Sequence, residues 1–263
     1  MLIIRKEQME CFARYELEGY QARLQMHLQA FFPLPTGLAG DAAITAFVGG
    51  AIEQARGYGF DTVATVQSFA DHTILLGWDF CRNPLYSALT TTLFDPDIAS
   101  AIQRHDLLYE RAWTYLDATR GPDAGNLLQA TARLNAWLAI PNKRAPTSLS
   151  DLLEILALIY PQKHAAHDTE TLSAFCREAV HRARADGFQE PVAQTIYASA
   201  AFLSGLGFFH DPLIRGAVAD HLAELAAETR AAGRTAILAA AATAYAEKVI
   251  AQVRAATALD SES

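Results

Sequence analysis

The stretch Gly77-Trp78-Asp79-Phe80-Cys81-Arg82-Asn83-Pro84-Leu85 returns 128 residues later as Gly205-Leu206-Gly207-Phe208-Phe209-His210-Asp211-Pro212-Leu213. Both copies keep the glycine, the phenylalanine three positions on and the proline–leucine pair. Extended toward the N-terminus without a gap, the same offset pairs residues 24–85 with 152–213, and about 16 of these 62 pairs are identical. Chance rarely gives such agreement, so the sequence predicts an internal duplication.

The positions shared by the two copies have helical spacing. Phe47, Ala51 and Ala55 recur at steps of four residues, and the second copy repeats all three residue types at the same offset. Gly59 and Gly187 then stand where a helix commonly ends on a left-handed residue. No alternating strand pattern competes with these signals. The predicted fold class is therefore all-α, with two tandem pseudo-symmetric helical modules.

Proline marks the predicted boundaries. Residues 141–146 are short, basic and bounded by two prolines, as is typical of a linker. We therefore expect a first helical module at residues 1–140, a linker at 141–148 and a second module at 149–263. Asn83-Pro84 and Asp211-Pro212 each place a capping side chain before a proline that suits the first helical position. Between them, Asp95-Pro96 is predicted to start a further helix, and its spacing places six residues on one side: Ile98, Ile102, His105, Tyr109, Trp113 and Leu116.

Composition excludes several classes of protein. The chain has 263 residues, 51% of them hydrophobic, and a net charge of −8 without a basic stripe, which argues against a nucleic-acid partner. Only Leu2, Ile3 and Ile4 follow the first methionine before the charges, too few apolar residues for a signal peptide. The apolar stretch at residues 236–246 is too short to cross a bilayer, so no membrane association is expected. Three widely spaced cysteines fit a reducing compartment, so we expect the cytoplasm.

Motifs for catalysis or cofactor binding are weak. The chain has no Gly-x-Ser-x-Gly elbow, phosphate-binding loop, dinucleotide fingerprint or His-Glu-x-x-His sequence. The best metal candidate pairs His164 with His167, but two ligands in a loop-like stretch favour a solvated loop over a metal site. Cys81 lies near Asp79 and Arg82, where a thiol is either reactive or simply a small hydrophobic residue; the latter is favoured. We expect no catalytic residue, no cofactor and no bound metal.

The two copies differ most in the turn after the shared glycine. The first copy has Trp78, Asp79 and Arg82 where the second has Leu206, Gly207 and His210. Tryptophan and arginine are enriched in protein interfaces, so Trp78, Asp79 and Arg82 are the candidate partner-binding residues. The alternative for Trp78 is that it belongs to the core.

Three segments together resemble a known group of proteins: residues 1–12, Ala55-Arg56-Gly57-Tyr58-Gly59-Phe60 and Gly77-Trp78-Asp79-Phe80-Cys81-Arg82-Asn83-Pro84. They look like small helical bacterial proteins of unknown function encoded near type VI secretion spike and effector genes. The likeness covers about residues 1–90, and Trp78 and Cys81 depart from the Gly-Pro-Asp-Phe-Asp turn of that group. The resemblance implies a cytoplasmic accessory role, as an effector chaperone or an immunity protein, and assigns no catalytic residues.

These observations predict a non-enzymatic accessory protein that binds another protein, such as a secreted effector or a toxin. The alternative is a small-molecule or metal-dependent enzyme with its site between the two modules. Polar side chains from both modules, converging on one apolar-walled pocket, would favour that alternative. A third interpretation is a purely structural dimer, and the sequence leaves the oligomeric state open.

Overall fold

The computed structural model describes residues 6–141 and 145–260, and every regular element in these ranges is a helix. The all-α prediction is confirmed. The α-helices are α1 (Lys6–Phe31), α2 (Pro33–Ala39), α3 (Asp41–Gly57), α4 (Val63–Leu76), α5 (Ser87–Thr90), α6 (Ala101–Arg120), α7 (Gly125–Leu138), α8 (Leu149–Ile159), α9 (Pro161–Ala165), α10 (Thr169–Ala185), α11 (Pro191–Ser204), α12 (Pro212–Ala217), α13 (Ala219–Ala227) and α14 (Ala231–Asp260). Short 3-10 helices lie at Phe80–Arg82, Pro84–Tyr86, Thr91–Leu93, Pro122–Ala124 and Phe208–His210.

Helix bounds in the first half (residues 6–141) and the second half (residues 145–260) coincide at the offset of the sequence repeat. α3 and α10 begin and end 128 residues apart, and so do α4 and α11. The 3-10 helices Phe80–Arg82 and Phe208–His210 keep the same spacing. Beyond them the halves diverge, since α5 is followed by another 3-10 helix whereas α12 leads directly into α13. That the halves superpose as two copies of one module stays a prediction.

Both α3 and α10 end as their glycines predict. Gly59 has φ 79° and Gly187 has φ 87°, the left-handed conformation that a side chain disfavours. In the first half the Phe60 N–H donates to the Ala55 carbonyl at 3.0 Å, and the second half has the same closing bond at 2.8 Å. The phenylalanine ring after each glycine is buried. Each turn therefore combines the backbone bond and the apolar contact of a Schellman motif.

The close contact between the halves is made by the glycines that end α4 and α11. Gly77 has φ 98° and Gly205 has φ 100°. A Cβ atom added to Gly205 would lie 2.7 Å from the Gly77 Cα, so neither position has room for a side chain. Two residues further on, the Gly207 N–H donates to the Trp78 carbonyl at 3.1 Å. We call residues 77–79 and 205–207 the seam.

One hydrophobic core extends across both halves. It includes Phe47 and Phe69 from the first half and Phe175 and Phe202 from the second. α7 packs against α8, α11 and α14, so the last helix of the first predicted module contacts three helices of the second. Residues 142–144 of the predicted linker lie outside the described residues.

The predicted stripe of α6 is buried only in part. Ile102, Tyr109 and Trp113 are 60%, 47% and 42% exposed, whereas Leu116 of the same stripe is buried. Tyr109 and Trp113 contact each other edge to face at a centroid distance of 6.0 Å. The helix begins at Ala101 and not at the predicted Asp95-Pro96.

The apolar stretch that was predicted to be too short to cross a bilayer is part of a longer helix, α14. Its segment Ala231–Ala255 is, within the described chain, the one helix long and apolar enough to cross a membrane. Core helices of soluble proteins pass the same test, but only 11% of the most apolar window of this helix is buried. α14 also packs on α7, α11 and α13, and Leu238 and Ala246 are buried in the protein.

The Schellman turn at Gly187 generates a stability prediction. Gly187→Ala should lower the free energy of unfolding by about 1 kcal/mol or more, because φ is positive and the new Cβ would lie 3.0 Å from the Arg234 guanidinium. The measurement is urea denaturation. Gly49→Ala is the matched control, since Gly49 is helical with no atom within 4 Å of an added Cβ and should be neutral or stabilising. Equal effects of the two substitutions would contradict the prediction.

A candidate partner groove and a cavity beside the seam

The three predicted partner-binding residues, Trp78, Asp79 and Arg82, line one open groove of about 560 Å³. Residues from both halves form its walls, and we call it the seam groove. Its lining consists of Gln54, Gly57, Tyr58, Trp78, Asp79, Arg82, Phe94, Arg182, Gly207 and His210. The sequence indicated Trp78, Asp79 and Arg82 but not Phe94 of the first half or Arg182 of the second.

Trp78 is mainly a packing residue. Its ring lies against α3, with a centroid distance of 5.3 Å to the Phe47 ring. A Cβ added to Gly50 would lie 2.6 Å from the Trp78 ring, so the missing side chain of Gly50 makes room for the indole. The core alternative for Trp78 therefore accounts for most of its contacts, while part of the residue still lines the seam groove.

Asp79 joins the halves by an ion pair. Its backbone is left-handed, with φ 63°, and its Oδ2 accepts a hydrogen bond from Arg182 Nη1 at 3.0 Å. Arg182 Nε donates in turn to Glu178 Oε1 at 2.8 Å. Both members of the cross-half pair are mostly buried, so solvent screens the pair less than it would a surface pair. The pair fixes the floor of the seam groove.

The rim of the groove is exposed and chemically mixed. The Arg82 side chain is 74% exposed, and its ion-pair contact with Asp79 is long, at 3.8 Å. Phe94 is 62% exposed and touches Tyr58 edge to face. His210 is also exposed, and its Nε2 lies 3.0 Å from Asp186 Oδ1. A guanidinium, an aromatic ring and an imidazole thus surround the fixed floor.

Cys81 lies just behind this rim but is not available for reaction. The thiol is buried, and burial raises its pKa to about 12. A thiol with so high a pKa carries almost no thiolate at neutral pH. The interpretation of Cys81 as a small hydrophobic residue is confirmed.

A second concave feature, a cavity of about 270 Å³, lies on the other side of the seam. We call it the inter-half cavity. Its walls are mostly leucine, isoleucine and valine side chains from both halves. Its polar lining consists of Arg120, Asp123, Thr131, Ser204, Asp211 and Tyr245. No sequence motif indicated this cavity, because the residues of its whole lining come from six separate segments of the chain.

Arg120 is the cation of this cavity. Its Nη2 donates to the Leu75 carbonyl at 2.8 Å, and no carboxylate of the described residues lies within ion-pair distance. Burial lowers the pKa of the guanidinium. The Tyr245 hydroxyl has no hydrogen-bond partner in the described chain; burial is the main cause of its raised pKa, with Asp211 raising it further and Arg120 lowering it. Tyr245 therefore lies within the fields of both charged residues.

Asp211 caps α12, as the sequence predicted, and its carboxyl is buried. Its Oδ1 accepts from the Leu213 N–H at 2.8 Å at the start of α12. The residue is only 5% exposed and has no ion-pair partner among the described residues. Burial raises the pKa of the carboxyl to about 7. The matching cap in the first half is a neutral residue, Asn83, which accepts from the Leu85 N–H.

A buried lysine lies close to Arg120. Lys163 is 4% exposed, and its Nζ donates to the Tyr86 hydroxyl at 2.9 Å and to the Phe202 carbonyl at 2.7 Å. Burial, and to a smaller extent the nearby Arg120, lower its pKa to about 7. The sequence placed this residue in no element and gave no sign of its burial.

The predicted loop around His164 is partly wrong, since α9 extends through Ala165. Pro161 opens this helix at its first position, as proline favours. His167 lies beyond it, with its Nε2 3.1 Å from the Tyr115 hydroxyl. Within the described residues no group of three or more His, Cys, Asp or Glu side chains is arranged to hold a metal ion.

Comparison of the chain with protein-family models, with curated proteins and with solved structures finds no match in any of the three.

The buried Asp211 carboxyl generates a pH prediction. Between its ordinary pKa of 3.8 and its folded pKa of about 7, the unfolded chain is ionised at this residue while the native protein keeps the proton. Stability therefore falls as the pH rises through this window, by a few kcal/mol at about 1.4 kcal/mol per pKa unit. Asp211→Asn keeps a capping side chain and removes the titration. Its free energy of unfolding should match wild type near pH 4 and exceed it at pH 8.

The control is Asp168→Asn, because Asp168 is an exposed N-cap that accepts from the Thr171 N–H. Its carboxyl has a lowered pKa, mainly through that backbone hydrogen bond, so it stays ionised across the same window. The difference between Asp168→Asn and wild type should be constant from pH 5 to 8. A constant difference for Asp211→Asn as well would contradict the account of the buried cap.

Proposed function

We propose that the protein is a non-enzymatic accessory protein that binds another protein through the seam groove. The observation that carries the proposal is an exposed arginine and an exposed aromatic ring, Arg82 and Phe94, on the rim of a concavity built by both halves. Arginine and aromatic residues are the side chains most enriched in the centres of protein interfaces.

The floor of the groove supports this function by being fixed in advance. The Asp79–Arg182 pair and the Trp78 packing hold the backbone of the turn between α3 and α10. A preorganised surface loses little conformational entropy on binding, so more of the contact energy appears as affinity. Trp78 and Asp79 thus act by positioning the groove, while Arg82 and Phe94 are the anchors.

The chemistry of the rim indicates the partner's contact segment. Asp79 is already paired with Arg182, whereas Arg82 has donors to spare. A partner carboxylate would form a bidentate pair with Arg82, and a neighbouring apolar side chain would cover Phe94. We therefore propose an acidic segment that also carries an apolar anchor.

The resemblance to proteins encoded near type VI secretion genes narrows the proposal to two roles in the cytoplasm. One is a chaperone or adaptor that holds a secreted effector before loading, and the other is an immunity protein that neutralises a toxin. Both roles use a preformed groove and need no catalytic residue.

Photo-crosslinking tests the proposal. A benzoylphenylalanine placed at position 94 in the native host should crosslink to one protein, and mass spectrometry should map the crosslink to a segment containing Asp or Glu. The control position is 158, because Leu158 is 64% exposed but lies on α8, away from the groove lining. Equal crosslinking from both positions, or none from position 94, would count against the groove as the interface.

Charge reversal at the rim gives the matching prediction. Arg82→Glu should reduce the crosslinking yield from position 94 about tenfold, the equivalent of about 1.4 kcal/mol, because a partner carboxylate would then face a like charge. The melting temperature should stay unchanged, since the side chain is mostly exposed. Trp78→Ala is unsuitable as a test because it would also remove ring packing against α3. An undiminished yield with Arg82→Glu would place the partner elsewhere.

A further inference from the structure

The inter-half cavity has the composition of a small-molecule site. Apolar side chains from α4, α7, α12 and α14 form most of its wall, and a few polar groups converge on it from both halves. Its volume of about 270 Å³ lies just below the roughly 300–1,000 Å³ typical of ligand pockets. A smaller apolar void of about 60 Å³ shares Leu203, Ile214 and Tyr245 with it as lining residues.

Arg120 gives this space its selectivity. Its guanidinium is partly withdrawn from water and has no ion-pair partner among the described residues, and it stays protonated even so. Arg120 makes one hydrogen bond to the described chain, to the Leu75 carbonyl. Its other N–H groups are left to whatever occupies the cavity. Lys163 lies near Arg120 but is held by Tyr86 and Phe202, and burial favours its uncharged form, so Arg120 is the cation of the site.

The remaining polar groups fit an anion better than a cation. Asp211 is buried, and its Oδ1 is already occupied by the backbone of α12. The Tyr245 hydroxyl has a free donor in the described chain and lies near Arg120. Two lining groups would repel an anion: Asp123, an exposed carboxylate at the edge, and Asp211 once it ionises above about pH 7.

We propose that the inter-half cavity binds a small amphipathic carboxylate, whose head group pairs with Arg120 and Tyr245 and whose apolar body lies along α7, α12 and α14. The bidentate geometry of a guanidinium suits a carboxylate head. The apolar body follows from the walls, which offer almost no further hydrogen-bonding groups. This site is separate from the seam groove, so either proposal stands if the other fails. Its polar groups come from both halves, which is the condition that favours the small-molecule alternative.

Isothermal titration calorimetry of the full-length protein tests the chemistry with three probes of equal chain length: octanoate, 1-octanol and octylamine. Octanoate should bind at least about tenfold more tightly than 1-octanol, because only the carboxylate pairs with Arg120. Octylamine should bind most weakly. Equal binding of octanoate and 1-octanol would overturn the anion site, and absence of octanoate binding would overturn the proposal as a whole.

Two variants locate the binding. Arg120→Met should abolish the preference for octanoate over 1-octanol, whereas Arg111→Met should keep it. Arg111 is the matched control because it lies on the same helix and also donates to a backbone carbonyl, that of Ala88 at 3.0 Å, away from the cavity. Val249→Phe, which fills the cavity and leaves Arg120 in place, should abolish octanoate binding even if Arg120→Met fails to fold. A Val249→Phe protein that binds octanoate as wild type does would overturn the assignment.

Discussion

The contact between Gly77 and Gly205 is the constraint on which the two candidate sites depend. Each glycine ends a helix with a positive φ, and each occupies the space that a side chain on the other would need. The residues just before these glycines, Leu75 and Ser204 among them, line the inter-half cavity. The residues just after them, Trp78 and Gly207, line the seam groove. The contact between Gly77 and Gly205 therefore separates the polar, open seam groove from the mostly apolar inter-half cavity.

The polar groups buried near this contact are costly for stability, and they are not paired as charges. Lys163 is held by a tyrosine hydroxyl and a backbone carbonyl, Arg120 by a backbone carbonyl, and Asp211 by the backbone of α12. Burial moves the pKa of Lys163 and that of Asp211 toward neutrality, which limits the cost by favouring the uncharged forms. Arg120 cannot lose its charge in this way. It is therefore the residue whose position is hardest to explain by folding alone.

Local signals in the sequence predicted local structure well. The ends of α3 and α10 followed from Gly59 and Gly187, and the caps at Asn83 and Asp211 followed from the prolines after them. Each of these features depends on a few neighbouring residues, so one sequence is enough to identify it. The turn at residues 78–82 was singled out because its difference from the second half was visible in the sequence, and it lines the seam groove. That it binds a partner stays a prediction.

Features that depend on distant residues could not be predicted. Arg182 lies 103 positions from its partner Asp79, and Lys163 lies 77 positions from Tyr86. The residues of the α6 stripe that meet the core could not be identified from the sequence, because periodicity shows that a stripe exists but not which neighbour it meets. The inter-half cavity assembles from six segments, and no spacing in the chain encodes that assembly.

The stability cost of Gly205→Ala, set against Gly40→Ala, tests the seam most directly. Both glycines cap a helix in nearly the same conformation, with φ 81° and ψ 160° at Gly40 and φ 100° and ψ 152° at Gly205. A Cβ added at Gly40 would have no atom within 4 Å, whereas a Cβ added at Gly205 would collide with Gly77. Urea denaturation should show Gly205→Ala costing about 1–3 kcal/mol more than Gly40→Ala, the excess reporting the contact with Gly77. Equal costs would mean that the halves do not meet at these glycines, and the seam would be wrong.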